Sequence, residues 1–254
     1  MHFKFFYQNS RLLLFGIIMS FTSSFGQTFF ISLFGPSIQF EYGLSHTSWG
    51  TIYLIGTLLS AIILTYSGSL IDYYRLNFYT YFSVIALVFS CFFISIVSGY
   101  FFLIFSVFLL RQTGQGLTSH ISVTTMARYF SEKRGTAIAI GSLGMAIGEA
   151  ILPFVVIIFI SLIGWRLTYF SSSIFILFCL FPVIVLLLNG YKERFIEKPV
   201  NISENKISIN NISKVRSFTR AEVLKDLRFY LMVPGLMAPG VILTALFFHH
   251  LNIS

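Results

Sequence analysis

Six apolar stretches follow one another from Leu12 to Leu188 with almost no charge inside them. They cover residues 12–34, 48–66, 78–97, 101–126, 136–162 and 167–188. Each is close to the roughly 20 residues a helix needs to cross a bilayer core. Inside lipid no water satisfies backbone N–H and C=O groups, so each stretch is expected to close its own hydrogen bonds as a helix. The fold class this predicts is an all-α membrane protein. A charged segment, residues 191–228, comes next, and a seventh apolar stretch, residues 229–248, follows it.

Only 10% of the residues are charged and the mean hydropathy is +0.83, whereas a soluble domain carries roughly 25% charged residues. The net charge of +8 could in principle signal nucleic acid, so its placement decides. With a cytoplasmic N-terminus, fifteen of the seventeen Lys and Arg fall on the inner side: Lys4, Arg11, Arg75, Arg128, Lys133, Arg134 and nine in the segment 191–228. Arg166 alone lies outside, and Arg111 is within the membrane. This is the positive-inside distribution. It predicts a multi-pass plasma-membrane protein (inner membrane in a bacterium) whose partners include the lipid bilayer and no nucleic acid.

Ser24-Phe25-Gly26 looks like a small-residue cleavage site, but the apolar run continues past it to Phe34, so the first stretch reads as an uncleaved span. Cys91 and Cys179 lie mid-span without disulfide or metal spacing and read as packing residues. Asn201-Ile-Ser203 and Asn211-Ile-Ser213 match the glycosylation sequon but fall on the predicted inner side. Residues 1–190 are expected to form a six-helix bundle and 191–228 a cytoplasmic linker. The linker ends in a short helix near 220–228, announced by the Thr219-Arg-Ala-Glu222 capping box. Residues 229–254 form the seventh helix, with Pro234-Gly235 and Pro239-Gly240 expected to kink it.

Polar residues sort the spans. On the fourth, Arg111, Gln115, Thr118, Ser122 and Thr125 recur at spacings of 4, 3, 4 and 3, one face of an α-helix. On the first, Ser20, Ser23, Ser24 and Gln27 share a face; on the second, Tyr53, Thr57, Ser60 and Ser67; on the fifth, Ser142 and Glu149. The third and sixth read as lipid-facing props. Polarity in spans one to three thus mirrors four to six, as expected of paired 3+3 inverted repeats.

Gly68-Ser-Leu70-Ile-Asp72-Tyr-Tyr-Arg75 resembles the signature loop of the major facilitator superfamily. Arg111-Gln-Thr-Gly114-Gln-Gly116 resembles its fourth-helix arginine-glycine motif, and Arg134-Gly135-Thr-Ala137 and Gly164-Trp165-Arg166 resemble the openings of its fifth and sixth helices. Residues 127–153 and Phe247-Phe-His249 resemble most the branch of monocarboxylate and oxalate/formate carriers. The departures are local. In the loop Tyr73 and Arg75 stand where Arg and Gly are usual, with Leu76 and Asn77 where basic residues are. Arg111 is one residue short of its usual distance to the glycines, and the fifth helix lacks the Gly-Pro pair of antiporters.

The resemblance implies a secondary transporter moving a small solute by alternating access, with Gly68, Asp72 and Arg75 in a gating loop. An organic anion such as a carboxylate is the leading solute, and a proton the candidate coupling ion. Members have twelve spans, so it also implies a chain truncated after the seventh. The rival readings are a nonfunctional fragment, a half-transporter that needs a partner and, further off, a membrane-embedded enzyme. No catalytic cluster, cofactor motif or metal motif supports an enzyme in the sequence.

Arg111 and Glu149 are the two deepest charges, about 16 Å and 20 Å below the outer surface at the helical rise. Two readings stay open: they neutralise each other across neighbouring helices, or Arg111 binds an anionic solute while Glu149 carries a proton. Gln115, Thr118, Gln27 and Tyr53 are the other candidate binding or coupling residues. Gly141, Gly144 and Gly148 are expected to serve close helix packing. His120 points away from Arg111 and reads first as a packing residue, with a proton relay as the alternative; His249 and His250, being adjacent, cannot form an i, i+4 metal pair.

Overall fold

The computed structural model describes residues 9–189 and 220–253, and every regular element among them is a helix. This is the all-α architecture that a backbone surrounded by lipid requires. The chain divides into two compact units, one within residues 1–193 and the other within 194–254.

The first unit holds the six spans. The first was expected as one helix but is in pieces: Ser10–Ser23, a 3₁₀ turn Ser24–Gly26, and Thr28–Leu33, with a further helix Gly35–Tyr42 beyond. The second, His46–Ser67, starts at Ser45, whose hydroxyl oxygen accepts the Ser48 N–H at 3.1 Å and so caps an otherwise orphaned donor. The third is Leu76–Ile96. The fourth changes pitch in its middle: α over Tyr100–Leu110, π over Arg111–Thr118, α again over Ser119–Tyr129. The fifth and sixth share the helical run Arg134–Phe175, broken at Gly164, and the sixth continues through a π segment, Ile176–Leu180, into Phe181–Leu188. Gly164 has φ 77°, a conformation that only glycine adopts at no steric cost, and there it separates the two spans.

The first span is the core of this unit: 72% of its most apolar stretch is buried, against 22% for the second span. Phe15, Met19, Phe30 and Phe34 of the first span and Tyr169 of the sixth are fully buried, with Phe34 and Tyr169 stacked at 3.9 Å. Leu54, Leu58, Ile62, Leu143, Ile147 and Phe154 face outward, an exterior suited to lipid.

The third span exposes Phe78, Phe82, Ile85, Phe89 and Ile96 on one side, as a lipid-facing prop would, and on the other buries Tyr79, Thr80, Ser83, Leu87, Ser90, Cys91 and Ile94. Ser83 and Ser90 donate to the carbonyls of Tyr79 and Ala86 on their own helix. Such back-bonded hydroxyls sit in a dry interface, so they did not mark a polar or apolar exterior. Cys91 is buried as expected, but Cys179 lies on the exposed face.

The second unit contains Arg220–Lys225 and Leu227–Ile253. The latter runs as one helix through both Pro-Gly pairs. Thr219, the two sequons, the linker through residue 219 and the side chains of His249 and His250 lie outside the described residues.

Candidate functional site

The break in the first span and the π segment of the fourth meet at a pair of glycines. A Cβ on Gly114 would lie 2.6 Å from Gly26 Cα, and one on Gly26 would lie 2.8 Å from Gln115 N. Neither crossing partner can carry a side chain. At the break Gln27 is extended (φ −79°, ψ 158°), which frees backbone groups from the helical ladder.

Arg111 takes up one of them. It is 8% exposed, and its Nη1 donates to the Gly26 carbonyl at 3.4 Å and to Thr28 Oγ1 at 3.3 Å. Its guanidinium carbon lies 5.4 Å from the centroid of the Tyr53 ring, within cation–π range, and the Tyr53 hydroxyl is 2.7 Å from Thr28 Oγ1. Nε is buried with no acceptor. Among the described residues Arg111 is ion-paired with no carboxylate.

The mutually neutralising pair therefore does not form, and Glu149 sits half-buried with no hydrogen bond or ion pair to any described residue. What offsets the buried cation is the carbonyl end of the first half-helix, which bears partial negative charge, together with the Tyr53 ring. Gln27 turns the other way, its Nε2 donating to Met145 Sδ at 3.8 Å on the fifth span.

The fourth-span face expected from α spacing is altered by the π segment, whose wider turn rotates successive side chains. Thr118 is fully buried and donates to the Gly114 carbonyl at 2.6 Å, so its hydroxyl is spent on its own helix. Gln115 is half-buried with Oε1 unpartnered. Gln112, absent from the predicted face, is buried, donates to Ser67 Oγ at 2.7 Å and accepts from Ser60 Oγ at 3.1 Å. Thr28 was also missed, because the 3–4 period running through Ser20, Ser24 and Gln27 steps over it.

Gly141, Gly144 and Gly148 are buried. A Cβ on Gly141 would come 3.1 Å from Met126 Cγ, one on Gly144 2.8 Å from Phe21 N, and one on Gly148 2.9 Å from Ser24 Cβ. The fifth span thus lies against the first beside the break, one residue from Glu149.

At one end of the bundle, Gly68 begins the 3₁₀ turn Gly68–Asp72, Asp72 is ion-paired with Arg128, and Arg75 stands at the N-cap of the third span. A cavity of about 570 Å³ there is lined by Gly68, Ser69, Asp72, His120, Thr124 and Arg128. His120 is 3.4 Å from Thr124 Oγ1. Arg11 clasps the same end, its Nε donating to the Leu187 carbonyl at 2.9 Å and its Nη2 to the carbonyls of Leu186 and Asn189.

At the opposite end, Glu41 accepts from Trp165 Nε1 at 2.6 Å and from Arg166 Nη2 at 2.7 Å. Arg166 also donates to Ser95 O at 3.0 Å and to the Tyr42 hydroxyl at 2.8 Å. The hydrogen bond from Arg166 holds the Glu41 carboxyl below its usual range, against an opposing burial effect and with help from Trp165. Arg166, the basic residue set apart from the others in the sequence, was the signal for this cluster. Its partners were not legible. Among the described residues no group of His, Cys, Asp or Glu is placed to hold a metal ion.

The sequence profile described as the Major Facilitator Superfamily matches residues 13–253, and the chain belongs to that superfamily. No curated protein matches it.

Proposed function

We propose that this member of the Major Facilitator Superfamily carries a small organic anion, as the monocarboxylate and oxalate/formate branch does, by alternating access and with proton coupling. The superfamily makes it a membrane transporter of small solutes; the anion and the proton are our reading. The observation that carries it is the Arg111 guanidinium, buried in the first unit, with no carboxylate partner among the described residues and with Nε unsatisfied by any of them. A charge at that depth costs about 2.5–3.5 kcal/mol even on the lenient insertion scale, so its retention without a counter-charge points to one that arrives with the solute. Glu149, half-buried in the neighbouring fifth span and equally unpaired, is our proton carrier. Gln115 and Tyr53 are our further solute-binding residues and Gln27, turned onto Met145 of the fifth span, our link between the break and the Glu149 helix; the Gly68–Asp72 turn is the inner gate, and the N-terminus is cytoplasmic.

The test uses purified protein in liposomes with labelled lactate, formate and oxalate. Arg111→Ala should abolish binding. Glu149→Gln should spare solute exchange while stopping accumulation driven by a pH gradient. If Arg111→Gln combined with Glu149→Gln restores uphill accumulation, the two residues are scaffolding and the mechanism is wrong.

A further inference from the structure

We infer that Thr28 is a positioning residue for Arg111: its hydroxyl holds one arm of the guanidinium and leaves the buried Nε–Nη2 edge without a described protein acceptor, for a carboxylate to take when the solute enters. This rests on the anion reading above and adds the element that orients the cation.

Hydroxyls elsewhere in these spans mostly bond their own helix. Thr22, Thr51, Thr113 and Thr118 each donate to the carbonyl four residues back. Thr28 does not, because it is the first residue after the break and the extended Gln27 removes the helical carbonyl it would otherwise use. Both of its hydrogen bonds are to side chains, Tyr53 at 2.7 Å and Arg111 at 3.3 Å.

A guanidinium only donates, so Thr28 Oγ1 accepts from Arg111 Nη1. Gly26 O accepts from the same nitrogen. Nη1 lies on the side of the guanidinium towards Cδ; Nε and Nη2 form the opposite, side-on edge. No described acceptor takes either of these nitrogens. Two parallel N–H groups on one edge match the two oxygens of a carboxylate, the bidentate arrangement that gives both strength and planar specificity. Thr28, itself held by Tyr53, fixes the rotation of the fork. The break in the first span thereby has a chemical role: it releases a hydroxyl from its own backbone and spends it on the cation.

Affinities of purified protein for lactate and formate, with chloride as a spherical anion for comparison, test this. Thr28→Val keeps the shape and removes the hydroxyl; it should weaken lactate and formate binding by about tenfold to a hundredfold, the loss typical of a hydrogen bond to a charged group, while barely changing chloride. Thr28→Ser should restore carboxylate binding to within about threefold. Arg111→Lys, a point charge without a fork, should weaken carboxylate binding in the wild-type background and add little on top of Thr28→Val, a non-additivity that a merely structural threonine would not produce. Should Thr28→Val melt early, Tyr53→Phe reads the same relay without touching the break and should also weaken carboxylate binding.

If Thr28→Val and Thr28→Ser both bind like wild type while Arg111→Gln abolishes binding, the positioning role is overturned and the anion reading stands. If wild type binds none of the carboxylates, both fall.

Discussion

Gly114 and Gly26 set how near Arg111 can come to the broken first span, and the steric margin is small enough to forecast the sign of a substitution. In Gly114→Ala the new methyl would lie 2.6 Å from Gly26 Cα and 2.7 Å from Gly26 N. Backbone cannot rotate away as a side chain can, so about 1–3 kcal/mol of overpacking strain is expected. Gly50→Ala is the contrast: it lies in the helix His46–Ser67 with nothing within 4 Å of the new atom, and the gain in helix propensity is about 1 kcal/mol. Thermal unfolding in detergent should show the first variant melting earlier and the second at or above wild type. A Gly114→Ala protein as stable as wild type would mean that the crossing is looser than it stands here. Arg111, Gln27 and Tyr53 were legible as single residues because a polar group in an apolar run has to be explained. Thr28 and Gln112 were not, since both are revealed only by departures from the α period.

Spans were readable because lipid enforces length and hydrogen-bond closure, and irregularities within spans were not, because no proline announces them. Ser24-Phe25-Gly26, which resembles a cleavage site, is instead the 3₁₀ break, and the π segment Arg111–Thr118 hides in a composition that reads equally well as α-helix. These two irregularities occupy the first helix of each three-helix repeat, at the position where the two helices touch. The ends of the elements are held differently, by charge. Glu41, beyond the first span, joins Trp165 and Arg166 at the start of the sixth. Its folded pKa lies below the ordinary value, so its stabilising contribution is complete above the unfolded carboxylate pKa of about 4 and is lost as pH falls through the lower, folded one. Glu41 is 41% exposed, which limits the ion pair to about 1 kcal/mol or less. Glu41→Gln should therefore lower the melting temperature by a few degrees at pH 7, and the gap to wild type should narrow below about pH 4. A gap of equal size at pH 7 and in strong acid would show that the carboxylate charge contributes nothing to the clasp.

At the scale of the first unit, the polar bonds between spans join mainly one repeat to the other. Arg11 bonds the end of the sixth span, Ser122 donates to Gly16 O at 2.8 Å, Gln112 bonds the second span, Asp72 pairs with Arg128, and Glu41 with Arg166. The alternating direction of consecutive spans puts the Asp72 and Arg128 pair at one membrane face and the Glu41 and Arg166 cluster at the other. Our proposal for which face is cytoplasmic rests on charge: among the described residues of the first unit Arg11, Arg75, Arg128, Lys133 and Arg134 gather at the Asp72 end, while Arg166, already neutralised by Glu41, is at the other. Translocation across an inner-negative membrane favours keeping the first group inside. With Cys91 and Cys179 replaced by Ser, two single-cysteine variants decide it. Ser98→Cys lies in the exposed loop before the fourth span and Ser131→Cys in the exposed loop before the fifth. An impermeant maleimide applied to intact cells should label position 98 and leave position 131 untouched until the membrane is permeabilised. The reverse labelling would invert the protein, move the Asp72 turn to the outer face and remove it as the inner gate.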